Sequence, residues 1–218
     1  WDHSFVQSHH SDNYYNGIYS LAELNIGSIR IVNSMFVTTD SLEAIKGNRK
    51  KVKGFHGYTN RAFIELGFDS KHVKQKILFG REYLSLGYEK VSSLIMSNHS
   101  RPFDQLLWEI SYKNISGTLC MIQLENIGNS KRYLNLHAIK YENNNLSIIF
   151  AEAILYSGEN RNFELQYINP VQLWTTEMVN NTTGGGNGLL YVGGRYNLNP
   201  SLFIWSELLI DDYQANRE

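Results

Sequence analysis

Leu146-Ser147-Ile148-Ile149-Phe150-Ala151-Glu152-Ala153-Ile154-Leu155-Tyr156 is the stretch whose reading decides the fold. Isoleucine, phenylalanine and tyrosine favour the extended backbone, so it reads as a strand. Asn143-Asn144-Asn145 before it tolerates left-handed backbone, and Ser157-Gly158-Glu159-Asn160 after it is a polar turn. Working outward, apolar or alternating runs recur at 106–112, 117–124, 132–141, 163–168, 171–179, 189–192 and 202–210. Their connections are too short for parallel crossovers, which makes the second half a mostly antiparallel sheet.

The first half reads differently. Ile29, Ile31 and Val32, then Met35, Phe36 and Val37, mark a strand with an irregular end. Asp40 with Glu43 fits a capping box that opens a short helix through Ile45. Asn60 to Leu66, stopped by Gly67, and Gly87 to Met96 have apolar residues at helical spacing. The expected fold is therefore α+β and strand-rich, antiparallel sheets packed with a few short helices in the N-terminal half, with an all-β sandwich as the alternative. Residues 1–25 read as an N-terminal arm and 26–218 as a single domain.

Composition bounds the function. Charged residues are 19% of the 218, and 42% are hydrophobic. That is enough apolar content for a core, and it excludes wholesale disorder. A net charge of −1 gives no general attraction for nucleic acid or an anionic bilayer. No run approaches the roughly 18 apolar residues of a helical membrane span, so no membrane span is expected and the chain reads as soluble, in a compartment left open. A start at Trp1 fits a processed or trimmed product. Cys120, the single cysteine, excludes an intramolecular disulfide and reads as a buried thiol.

Several motifs carry little chemistry. His3, His9, His10 and Asp12 are read as a surface segment rather than a metal cluster, because adjacent histidines on a strand point apart. The basic stretch Lys46 to Lys53 lacks interleaved aromatics and reads as a solvated loop. Gly184-Gly185-Gly186-Asn187-Gly188 lacks the Lys-Ser/Thr of a phosphate loop. Sequons at Asn98, Asn114, Asn180 and Asn181 occur about as often as chance allows in so Asn-rich a chain.

Three separated pieces form a pattern: Phe55-His56-Gly57-Tyr58 followed by Leu66-Gly67-Phe68-Asp69; Glu82-Tyr83-Leu84-Ser85 followed by Gly87 and Tyr88; and the late run Leu202 to Asp211 containing Glu207, followed by Tyr213 to Asn216. In order and surroundings they resemble the ADP-ribosyltransferase fold in its poly(ADP-ribose) polymerase-like His-Tyr-Glu form. The resemblance implies NAD as substrate and transfer of ADP-ribose to a protein or other macromolecular acceptor. It implies that His56, Gly57, Tyr83 and Tyr88 bind the cofactor, with Tyr83 stacking on nicotinamide beside a helix that opens at Gly87, and that Glu207 is catalytic. A carboxylate there would stabilise the oxocarbenium ion formed as the nicotinamide-ribose bond breaks. On strand chemistry alone, Glu207 interrupts an apolar run and must be paired, exposed or used.

The competing expectation is a non-enzymatic antiparallel sandwich that binds a glycan or protein partner, as part of a toxin, viral or surface assembly. Trp174 and Trp205 read as exposed aromatics suited to sugar faces or interfaces.

Overall fold

The structure is a computed structural model and describes residues 2–10, 13–39, 53–88, 93–97, 100–180, 186–199 and 201–211. It contains a single antiparallel sheet of eleven strands in sequence order. The strands are β1 (Asp2–His10), β2 (Asn13–Ile26), β3 (Ile29–Thr38), β4 (His56–Asp69), β5 (Val73–Glu82), β6 (Phe103–Tyr112), β7 (Ile115–Ile127), β8 (Ser130–Glu142), β9 (Leu146–Gly158), β10 (Gly186–Asn199) and β11 (Leu202–Asp211). The one α-helix among the described residues is α1 (Trp174–Asn180), preceded by a 3-10 turn at Leu165–Tyr167.

The α+β expectation is overturned: the fold is all-β. Its alternative had the right class but the wrong layering, because one sheet replaces the two of a sandwich. Asn60 to Leu66 lies within β4, where Phe63 is buried on one face and Ile64 is exposed on the other. Apolar side chains on both faces of a strand imitate helical spacing, and sheet pairing decides between the two. Among the described residues from Gly87 to Met96 there is no helix; Leu86 bridges Met96 instead. The run 171–179, read as a strand, holds α1. Residues 2–10 and 13–25, read as part of an arm, lie in the first two strands. The expected helix from Asp40 to Ile45, Asp12, residues 46–52 of the basic stretch, and Tyr213 to Asn216 lie outside the described residues.

A meander gives the sheet two different rims. At one rim the connections are the two- or three-residue turns 27–28, 70–72, 113–114, 143–145 and 200–201. At the other lie the long connections 39–55, 83–102 and 159–185, together with the short turn after β7. Open sheets this wide curl, and this one curls around the face that carries Val32, Phe63, Leu78, Leu107, Cys120, Ile122, Leu136 and Ala153. Those side chains form one buried cluster that includes Leu84 from the 83–102 connection.

The opposite, convex face is apolar and uncovered over much of its area. The pairing register aligns Ile31, Ile64, Phe79 and Leu106 in one row, all of them exposed. Continued across the sheet, that row reaches Asn135 and Ile154, which are wholly buried. Exposed apolar residues resume four positions nearer the short-turn rim, in the row Ile139, Phe150, Val192 and Leu208. The upper edge of the apolar band thus crosses the strand rows obliquely, as it does when strands tilt against the band they build. Below that edge, no Asp, Glu, Lys or Arg of the described strands lies on the convex face. Just above it stand the ion pair Arg81–Asp104 and the Glu152–His137 pair.

Candidate functional site

The concave face holds most of the charged side chains of the described strands. Register and alternation place Glu23, Arg30, Arg61, Glu65, Lys76, Glu109, Arg195 and Glu207 on it. Arg30 pairs with Glu23 at 2.8 Å, Arg61 is bidentate on Glu82, and Lys76 pairs with Glu109. The Arg61 guanidinium also lies 5.4 Å from the Phe63 ring centre. Inside the curl, then, ion pairs and cation–π contacts sit among apolar side chains.

Residues 83–88 and 93–97 of the connection after β5 fold across this face. Leu86, Tyr88 and Ile95 pack on a cluster of Ala138, Ile149, Ala151 and Tyr191, so the segment that leaves β5 reaches β8, β9 and β10. Glu207 of β11 fastens it. One carboxylate oxygen accepts the Tyr88 N–H at 3.2 Å and the other accepts the Leu94 N–H at 2.8 Å. The Tyr88 hydroxyl donates to the Gly193 carbonyl at 3.3 Å. Two glycines permit this approach. Gly87 has φ +124°, where L side chains are strained, and a Cβ there would lie 2.9 Å from the Glu207 carboxylate. A Cβ on Gly193 would lie 2.9 Å from the Tyr88 ring. Burial pushes the Tyr191 phenol above its ordinary pKa, and the neighbouring Glu207 charge adds to the shift.

Of the residues singled out in the sequence, Tyr88 and Glu207 meet directly, through a backbone N–H. Tyr83 donates its hydroxyl to Asn60 at 2.7 Å, and its N–H goes to Glu82 at 2.8 Å. His56 is 4% exposed on the concave face at the long-connection rim, and neither ring nitrogen has a hydrogen-bond partner among the described residues. Gly57, its neighbour on the strand, lies on the opposite face against Val37. Glu207, odd by strand chemistry, is paired, and its partners are the inserted connection.

A second glutamate holds the 159–185 connection against the convex face. Glu152 is completely buried; it accepts the Trp174 and Thr175 N–H groups at 2.8 and 2.5 Å, and His137 Nε2 lies 2.8 Å away. Burial alone would push its carboxyl up. The hydrogen bonds from His137, Thr175 and Trp174 outweigh burial and hold it below its ordinary value of 4.5. The Trp174 indole stacks on the His137 ring at 4.0 Å and 14° and donates Nε1–H to the Asn169 carbonyl at 2.9 Å. Trp174 is therefore a buried anchor with no exposed surface, which corrects the expectation of an exposed recognition aromatic; Trp205 is 42% exposed. Asn135, also wholly buried, donates to the Tyr167 carbonyl at 2.7 Å. The sequence carried a signal for this anchor, since Glu152 stands in the most apolar run of the chain, and a carboxylate there needs donors.

No protein-family model, no curated protein and no solved structure matches the chain.

Proposed function

We propose that this sheet is the wall of a membrane β-barrel whose interior is plugged by the 83–102 connection. The observation that carries the reading is the polarity of the two faces. Large apolar side chains such as Phe79 (68% exposed), Ile139 (61%), Ile204 (59%) and Leu208 (58%) cover the outside. Arg61, Glu82 and Glu207 lie within, together with Glu23, Arg30, Glu65, Lys76, Glu109 and Arg195, and the convex charges Arg81, Asp104 and Glu152 stand above the apolar band. A water-soluble sheet has the reverse arrangement, and a monomer rarely leaves so large an apolar surface bare.

Three further features agree with it. No helix among the described residues is long and apolar enough to cross a membrane, but strands of about 9–11 residues tilted near 45° span a bilayer, and these run from 9 to 14 residues. Short turns at one rim and long connections at the other are the usual division in such barrels. The oblique apolar edge supplies the tilt. In a bilayer the free backbone edges of β1 and β11 must be hydrogen-bonded, to each other or to neighbouring strands.

The transferase expectation gains no support from this geometry, because both oxygens of Glu207 are engaged by backbone donors. The sheet-built surface-component alternative is the nearer one, relocated from a sandwich in water to a wall in lipid. The test is fractionation of the expressed protein. It is expected to sediment with membranes, resist alkaline carbonate and require detergent for release. Recovery as a monomer with a cooperative thermal transition in detergent-free buffer would overturn the proposal.

A further inference from the structure

We propose that the hollow of about 370 Å³ between the 159–185 connection and the barrel wall holds one acyl chain of a membrane lipid. The inference rests on the convex face meeting lipid, and it names what that lipid does at one place. The floor is Trp108, Leu119, Ile139 and Phe150, and the roof is Val171 and Leu173. Volumes of this order suit a single small ligand or alkyl chain.

The choice of occupant follows from continuity. Ile139 and Phe150 belong both to the floor and to the exposed apolar band, so the hollow opens onto the surface assigned to hydrocarbon. An aqueous ligand would have to cross that surface to enter. Val171 and Leu173 are 90% and 57% exposed, an arrangement that suits a segment resting on the bilayer rather than in water. Among the described residues, the polar side chains that line it besides the Trp108 indole are Thr118, His137 and Gln172, and His137 is already committed to Glu152. No lysine or arginine among the described residues lines the hollow, which favours a chain over a headgroup.

The roof is fixed in advance. Glu152 holds the backbone of Trp174 and Thr175, and Trp174 stacks on His137, so Leu173 is tethered directly beside this anchor. A chain entering the hollow meets a preformed slot and orders little protein on binding.

The probe is a phospholipid brominated along its acyl chains, titrated into the detergent-solubilised protein with tryptophan fluorescence as readout. The Trp108 contribution is isolated by difference from Trp108→Phe. It is expected to be quenched, with saturation at a single equivalent of lipid, and Leu173→Asp, at an already exposed position, is expected to abolish that component. A second variant, Leu208→Trp in vesicles of the same brominated lipid, reports on the wall away from the hollow. Quenching at Leu208→Trp without a saturable Trp108 component would overturn the hollow and leave the wall standing. Absence of quenching at both would overturn the barrel reading and the hollow with it. A Trp108 component unchanged by Leu173→Asp would also count against the slot.

Discussion

Two long connections leave the same rim and fold in opposite directions, and a strand glutamate holds each by two backbone N–H groups. Residues 83–88 and 93–97 turn inward to Glu207, and residues 159–180 turn outward to Glu152. The anchors differ in what surrounds them. Glu152 is wholly buried, bonded to His137 and roofed by Trp174, whereas Glu207 is only partly buried and its hydrogen bond to Tyr88 is long. Carboxylates in drier surroundings bind their donors more strongly and are more costly to remove. The outer connection is accordingly a fixed part of the wall, and the inner one is the element that can be released.

The largest effect is expected at the outer anchor. Glu152→Ala leaves two buried N–H groups and the His137 nitrogen without their acceptor, a loss of about 3 kcal/mol or more. It should appear as rapid proteolysis and amide exchange across 159–180 while the strands stay protected. Next comes Gly193→Val, whose new side chain would overlap Tyr88 and Tyr191. A Cβ alone already lies 2.6 Å from the Tyr191 hydroxyl, and overpacking of this kind costs about 1–3 kcal/mol. Exchange should rise at 86–88 and 93–96 and leave α1 untouched. Glu207→Ala should free the same segment at about 1–2 kcal/mol and raise single-channel conductance in planar bilayers. Equal loosening of both connections by either glutamate variant would break the distinction between them.

A pH titration sharpens the same contrast. The folded Glu152 carboxyl lies below its ordinary value, so its contribution is complete above that value of 4.5 and is lost as the pH falls through the lowered one. The outer connection should stay protected from neutral pH down to the ordinary carboxylate range and open only below it. Glu152→Gln should remove that acid-induced step. The smallest effect is expected at Cys120, which is fully buried, its thiol pushed well above the ordinary value by burial. It should resist maleimide until the barrel unfolds, with or without the inner connection in place.

Much of the sheet was legible, and the reason shows at β9. Its β-branched and aromatic content and flanking turns mark a strand wherever it is placed. The β4 segment misled because Phe63 and Ile64 are apolar on opposite faces, a pattern that a short helix shares. Glu207 was legible as an anomaly, yet which donors satisfy it depends on a connection whose path across five later strands has no local signature. Trp174 reads as an exposed aromatic in the sequence, and the structure buries it completely. Its burial arises from Glu152 and His137, distant in sequence. The rule that a span needs a long apolar run tests only helices, so it could not register a wall built by alternation.

The most direct test of the two-faced wall is a nitroxide scan in lipid vesicles at Ile31, Phe79, Ile139 and Leu208 on the convex face, with their strand neighbours Val32, Leu78, Ala138 and Glu207 for comparison. The wall predicts that the first set collides with oxygen dissolved in the bilayer and is shielded from a water-soluble nickel chelate, while the second set shows no such preference. Free access of the chelate to the first set would contradict it.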